Sequence, residues 1–454
     1  MEHDEKALNG TIVPDEPAQP RKPHDYASGP AMHTVDDPAG EGHMWSGMWP
    51  AAAEASGDES AGTALAPRAP ANAPREPSET ATEPESGIII VTGSNGRIGD
   101  AVMRRFAGRF PVVVGFDRKA ATPPPPGCVY VPVEITSDDS VRQGLAAIRD
   151  HHGPHVAAVV HLAAYYDFFG RPSPLYEEIT VRGTGRLLSG LRELGFSVEQ
   201  FAFSSTMLVH KPAEPGQFIT EDWPLGPTWA YPASKVKTEE VIRSGRGEIP
   251  AVLWRISGVY DDGCHSIPLA NQIQRIYERD FTSRLYSGST AHGSSFMHMD
   301  DLVDAIERTV ERRAALPPEA AILLGEPEAL SYDELQHTIA RLIHGESWET
   351  IEIPGQLAAV SKAGAWALDH VPGQEAFIKP WMIDRANDHY ALDVTRARTL
   401  LGWEPRRSLR ETLPKMIAAL KADPLGWYRE NDLEPPAGLR ERAGQGAEAA
   451  PRER

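Results

Sequence analysis

The chain has 454 residues, 41% of them apolar, and a formal net charge of −19. Residues 1–86 carry 5 Lys/Arg against 16 Asp/Glu, or −11 of that total, so neither this stretch nor the remainder at −8 offers the concentrated basic surface that nucleic acid or an anionic membrane requires. Cys128 and Cys264 are too few for a disulfide framework, no segment approaches ~18 uninterrupted apolar residues, and the acidic start MEHDEKALNG is unlike a signal peptide, so we expect a cytoplasmic protein with small-molecule or protein partners.

Residues 1–86 are rich in Pro, Ala, Glu and Ser and follow neither the strand nor the helix period, which predicts a disordered acidic tail. Within it, His43–Pro50 gathers two Trp and two Met, either a docking element or an incidental patch. From Gly87 the chain alternates apolar runs with amphipathic stretches. The runs are 88–92, 111–117, 128–134, 156–164, 201–206 and 250–256; helices are expected at 137–150, 174–195 and 230–245. Continuous apolar strands separated by helices predict an α/β fold, a Rossmann-type doubly wound parallel sheet over 87–255. A smaller C-terminal substrate-binding lobe is expected over 256–430, with helices near 268–279, 300–313, 331–344 and 407–421 and some segments returning to the sheet. Residues 431–454 read as a flexible C-terminal tail.

The turn after the first run, Gly93-Ser94-Asn95-Gly96-Arg97-Ile98-Gly99, places three glycines between a strand and a helix. Gly93 suits the tight bend, Gly96 lets backbone approach a pyrophosphate, and Gly99 lets the helix pack close to the strand, with the phosphates facing the helix N-terminus. Asp117, 24 residues after Gly93 at the end of the second run, is placed to accept hydrogen bonds from ribose hydroxyls. The combination points to a dinucleotide. Asp117 favours NAD; Arg118 beside it would suit the extra phosphate of NADP, which keeps NADP open.

Tyr231-Pro232-Ala233-Ser234-Lys235 puts a phenol and an ammonium four residues apart on one helical face, 25 residues after Thr206 at the carboxyl end of the fifth run. With these motifs the chain resembles the extended short-chain dehydrogenase/reductase superfamily, the NAD-dependent epimerase/dehydratase family. The likeness runs from about Gly87 to about Trp427 and rests on Thr92–Gly99, His161-Leu162-Ala163-Ala164, Ser204-Ser205-Thr206, Tyr231–Lys235, Phe296–Leu302 and Leu401-Gly402-Trp403-Glu404-Pro405.

The resemblance implies an enzyme in which Tyr231 is the acid/base, Lys235 holds the nicotinamide ribose and lowers the tyrosine pKa, and Thr206 hydrogen-bonds the reacting oxygen. It places the cofactor against Gly93, Asn95, Gly96, Arg97, Ile98, Gly99, Asp117, Arg118, Glu134, Ile135, Leu162, Ala163 and Ala164 as well as Tyr231 and Lys235. Thr180 stands where many members have Asn, which puts a relay through that Asn in doubt. The resemblance also implies a homodimer through 174–195 and 230–245. No His/Cys/Asp grouping has convincing ligand spacing, so no metal is expected.

Within the family, dehydratases place an Asp-Glu pair after the Thr, where this chain has Met207-Leu208, which argues against dehydration. Nucleotide-sugar epimerases commonly use an Arg and an Asn where Ser294 and Gly258 stand, although Arg275 or Arg284 would be able to compensate. Tyr165, Tyr166, Phe168 and Phe169 either wall the substrate or pack in the core. These departures favour a dehydrogenase or reductase acting on a secondary hydroxyl or keto group, of the hydroxysteroid or dihydroflavonol type. A sugar or nucleotide-sugar epimerase, and a non-catalytic dinucleotide sensor with a partner-binding tail, are the alternatives.

Overall fold

The computed structural model describes residues 86–119, 124–370 and 378–440. The acidic tail with its His43–Pro50 patch, and residues 441–454, lie outside the described residues.

The six apolar runs form β1 (Ile88–Thr92), β2 (Val112–Asp117), β3 (Cys128–Pro132), β4 (His155–His161), β6 (Phe201–Thr206) and β7 (Ala251–Ile256), with a short β5 (Ser197–Val198) beside β4. Every residue of β1 and β7 is buried, as expected of parallel strands covered on both faces by helices. Further along lie β8 (Gly258–Tyr260), β9 (Leu285–Tyr286), β10 (Phe296–His298), β11 (Glu319–Leu324) and β12 (Ile351–Glu352). The main sheet runs β11-β7-β6-β4-β1-β2-β3, all parallel, and the pairs β8–β10 and β9–β12 stand apart from it. The strand order reverses between β1 and β4, so the crevice at their carboxyl ends is the natural ligand edge. This is a Rossmann-type doubly wound sheet.

Strand β11 is the element the sequence pattern hid. Its six residues fall within 256–430, where the sequence pattern marks helices and leaves the segments returning to the sheet unplaced, and they pair in register with β7 from Glu319↔Ala251 to Leu324↔Ile256.

The helices are α1 (Arg97–Phe106), α2 (Asp138–His152), α3 (Gly183–Glu193), α4 (Ala230–Gly245), α5 (Ile267–Tyr277), α6 (Met299–Glu311), α7 (Tyr332–His344), α8 (Ala358–Asp369), α9 (Pro380–Ile383), α10 (Thr395–Leu401), α11 (Leu409–Ala422) and α12 (Pro424–Glu430). The single helix expected over 174–195 is divided: Tyr176–Arg182 winds as a π-helix before α3 begins. Such wider turns recur beside functional sites.

One core gathers a face of the sheet with Val102, Met103 and Phe106 of α1 and Leu302 and Ile306 of α6. A second joins α5, α7, α11 and α12 through Ile273, Ile339, Leu413, Met416 and Trp427. Polar groups set the helix starts: the Ser137 side chain caps α2, and the His298 imidazole accepts from Asp300 N at the start of α6.

Candidate active site

The glycine turn connects β1 to α1. Gly93 adopts φ +68°, and a Cβ there would lie 3.0 Å from Ala163 N. At Gly99 a Cβ would come within 2.2 Å of the Gly93 carbonyl oxygen, so only glycine lets the helix sit this close to the strand end. Gly96 is the N-cap of α1 and supplies no side-chain cap, which leaves the amides of the first turn open to an anion. Ile98 packs against the sheet core, whereas Arg97 turns outward and its Nη2 donates to the Glu430 carbonyl at 3.0 Å.

At the end of β2 the Asp117 carboxylate accepts from Asn95 N at 3.0 Å and from Arg118 N at 2.8 Å. Each of its oxygens retains a further lone pair for a ribose hydroxyl. The Asn95 side-chain amide donates to the Lys119 carbonyl, and Arg118 is exposed. The uncapped helix start, the close-packed glycines and a carboxylate with spare lone pairs together fit the dinucleotide the motif suggests.

On the other side of β1, a buried polar chain fixes the segment after β4. The Thr184 hydroxyl donates to the Thr180 carbonyl at 2.6 Å and so must accept from His161 Nε2 at 2.8 Å. That leaves His161 Nδ1 to accept from the Thr92 hydroxyl at 2.7 Å, whose oxygen takes the amides of Leu162 and Ala163, both at 3.1 Å. Burial, with Lys235 adding to it, pushes the imidazole down to about 3, so His161 is neutral. Thr180, in place of the common Asn, uses its hydroxyl to accept from Tyr165 N at 2.9 Å. Ala164 follows in the same half-buried loop. Glu134 turns its carboxylate to Thr136, accepting from N at 3.1 Å and Oγ1 at 2.8 Å, and Ile135 packs over Gly183.

Thr206 ends β6, and Tyr231 and Lys235 lie in the first two turns of α4. Burial pushes the Tyr231 phenol up to about 12, opposed by a hydrogen bond with the Thr206 side chain. Lys235 is buried, its Nζ donating to the Ser204 carbonyl at 2.6 Å, 4.7 Å from the Phe203 ring centre and 5.6 Å from that of Tyr231. Burial brings its own pKa down to about 7, against the pull of Glu239. Thr206, Tyr231 and Lys235 are thus brought together at one end of α4, with the Lys235 Nζ 5.6 Å from the phenol ring centre.

Behind these residues lies a network the sequence reading missed. Glu239, one helical turn after Lys235, accepts from Ser205 Oγ at 2.6 Å and from Arg255 Nη2 at 2.8 Å and Nε at 3.1 Å. It bolts α4 to β6 and β7. The available signal was an arginine inside the otherwise apolar run AVLWRI.

Of the aromatic quartet after His161, Tyr166 meets the Tyr231 ring edge-on at 4.8 Å, Tyr165 packs on Tyr176, and Phe168 and Phe169 contact each other. Trp229 lies 5.4 Å from Tyr231 and stacks at 5.2 Å on Trp381 of α9, two aromatics the sequence reading did not place in the site. A Cβ at Gly258 would lie 2.8 Å from the Phe296 ring, so that ring occupies the space of the family's Asn. Arg275 donates to Thr282 at 3.2 Å, and the Arg284 guanidinium lies 3.9 Å over the Trp348 ring. Among the described residues no group of His, Cys, Asp and Glu could hold a metal ion, and no helix is long and apolar enough to cross a membrane.

Comparison with known proteins adds the lineage. The NAD dependent epimerase/dehydratase family model matches residues 89–325. The chain is 25% identical to dTDP-6-deoxy-L-talose 4-dehydrogenase (NAD(P)(+)) of Kitasatospora kifunensis over 76% of its length and 99% of the relative's. It is likewise 25% identical to human 3 beta-hydroxysteroid dehydrogenase type 7, covering 74% of this chain and 96% of the other. Among solved structures, Bacillus cereus UDP-glucuronic acid 4-epimerase, in complex with UDP-glucuronic acid and NAD, superposes with a TM-score of 0.55 at 19% identity, over 74% of this chain and 99% of that one. The chain belongs to the NAD dependent epimerase/dehydratase family and is an NAD-dependent enzyme.

Proposed function

We propose that this enzyme interconverts a secondary alcohol and its ketone on a substrate poor in phosphate, with Thr206, Tyr231 and Lys235 as the catalytic residues. The carrying observation is the juxtaposition, at the carboxyl edge of the sheet, of a phenol hydrogen-bonded to Thr206 and an ammonium 5.6 Å from its ring. NAD, when bound, supplies the hydride acceptor or donor. Gly93, Asn95, Gly96, Arg97, Ile98, Gly99, Asp117, Arg118, Glu134, Ile135, Leu162, Ala163 and Ala164 form its proposed binding surface, with Asp117 favouring NAD over NADP.

Thr206 orients the reacting oxygen, and Tyr231 gives that oxygen a proton in ketone reduction or removes it in alcohol oxidation. At neutral pH the phenol is protonated, the form that donates. Lys235, buried with a pKa near neutrality, is the charge that favours the phenolate in the oxidative direction. Both curated relatives cited above are dehydrogenases, which supports net oxidation or reduction over epimerisation. In the same reading 87–255 is the cofactor half and 256–430 the substrate lobe. The protein is a cytoplasmic homodimer joined through α4 and the 174–195 segment, which pack side by side.

Tyr231→Phe is expected to bind NAD with unchanged affinity by fluorescence titration while turnover falls ~10²- to 10⁴-fold. Full turnover by the variant would refute the assignment. Net NADH formation by the wild type distinguishes a dehydrogenase from an epimerase, which regenerates its cofactor each cycle.

A further inference from the structure

The C-terminal lobe sends one side chain back to the catalytic helix. Trp381 stacks on Trp229, the N-cap residue of α4, with ring centres 5.2 Å apart and planes 27° apart. Its Nε1 donates to the Phe169 carbonyl at 2.7 Å, and Gly170, at φ +70°, makes room for it: a Cβ there would lie 3.0 Å from the indole. Four residues on, Arg385 Nη2 donates to the Thr228 carbonyl at 2.9 Å. Trp381 is thus tied to both segments that flank Tyr231.

Tyr166, Tyr231, Trp229 and Trp381 form a continuous series of rings with centres 4.8, 5.4 and 5.2 Å apart. Tyr166 is 45% exposed and the other three rings are only partly covered, so the series reaches the surface. With the indole N–H already used, these rings offer apolar faces to a ligand. The nearby cations are engaged: Arg171 with Asp167 at 2.7 Å, Arg385 with the Thr228 carbonyl, and Lys379 over the Phe169 ring at 5.0 Å.

We infer that Trp381, with Trp229, is a specificity-determining residue that holds a flat apolar ring system of the substrate against the aromatic wall beside Tyr231. This rests on the proposed role of Tyr231 and adds the substrate class: a secondary alcohol or ketone borne on or fused to a planar apolar ring. An aromatic face gains dispersion and area burial from such a ring.

The test uses the full chain with NAD and two alcohols, 1-tetralol and cyclohexanol. Trp381→Ala is expected to raise KM for 1-tetralol about tenfold or more, with kcat and the cyclohexanol KM within about threefold of wild type. Trp381→Phe should restore most of the loss and covers the case in which the alanine variant fails to fold. Quenching of intrinsic fluorescence by 1-tetralone on the NAD-loaded chain gives the same comparison without turnover, with affinity expected to fall about tenfold in Trp381→Ala. Equal affinity and an equal KM ratio in wild type and Trp381→Ala, or no binding of tetralone by wild type, overturn the inference. Trp381-dependent binding without turnover of either alcohol upholds it and overturns the Tyr231 reading alone. Turnover lost in Tyr231→Phe but indifferent to Trp381→Ala does the reverse.

Discussion

Two of the buried glutamates, Glu239 and Glu326, join elements of the fold, and their carboxyl groups are displaced from the ordinary pKa in opposite directions. Glu239 joins α4 to β6 and β7. Burial pushes its carboxyl up, but the hydrogen bonds and charge of Arg255, helped by Ser205 and Arg243, bring it below its ordinary value. Glu326, just past β11, accepts from Tyr260 Oη at 2.8 Å and from Leu409 N at 2.9 Å, joining the sheet end to β8 and α11. Burial pushes this carboxyl up to about 7, Asp301 and Glu328 adding to it. The same side chain is therefore pushed toward the ionised form where guanidinium groups face it, and toward the protonated form where burial is opposed only by a phenol and a backbone amide. Burial sets the cost of charge, and the partner decides whether the cost is met.

The largest expected effect breaks the first joint. Arg255→Met leaves the Glu239 carboxylate buried beside Ser205 and exposed Arg243, and should lower unfolding stability in urea by about 3–5 kcal/mol, the usual result of stranding one partner of a buried pair. A loss below 1 kcal/mol would mean that Glu239 is not ionised in the wild type, and the contrast would collapse.

Next comes pH. The folded pKa of Glu326 lies above the ordinary 4.5, so its contribution is fully present below 4.5 and is lost as pH rises through about 7. Each unit of that displacement corresponds to about 1.4 kcal/mol. Glu326→Gln, which cannot ionise, should flatten the stability profile between pH 4.5 and 7 relative to wild type; parallel profiles would sink the assignment. The smallest effect sharpens the comparison: Ser205→Ala removes one neutral donor to the ionised Glu239 and should cost about 1.5–3 kcal/mol, since hydrogen bonds to charged groups lie at the upper end of the range. The cofactor affinity, read by titration, should be unchanged.

What the sequence could reveal followed the range of each interaction. The glycine turn was legible because Gly93, Gly96 and Gly99 act on one another and on Asp117 within a single β-α-β unit, where the period of the pattern and the geometry coincide. Strand β6 and helix α4 were read to their termini for the same local reason. Strand β11 was lost because 62 residues separate it from β7, and no local period records which earlier strand a segment joins. The π-helix at Tyr176–Arg182 was read as ordinary helix, since its apolar spacing resembles an α-helix over two turns. At the site, Thr206, Tyr231 and Lys235 were visible as motifs. Their ionisation was not, because the phenol's pKa depends on how deeply three distant segments bury it. Trp229 and Trp381 stand 152 positions apart and meet only in the fold.

The bare helix start at Gly96 has a consequence for the protein's endurance. A serine or aspartate there would accept from a first-turn amide, whereas glycine leaves those amides without a side-chain cap. A ligand that binds only the native chain adds about 2.7 kcal/mol at a hundred times its Kd, so NAD, when bound, would stabilise the fold by that route. In a cell the lifetime of this enzyme would rise and fall with the nicotinamide pool it serves.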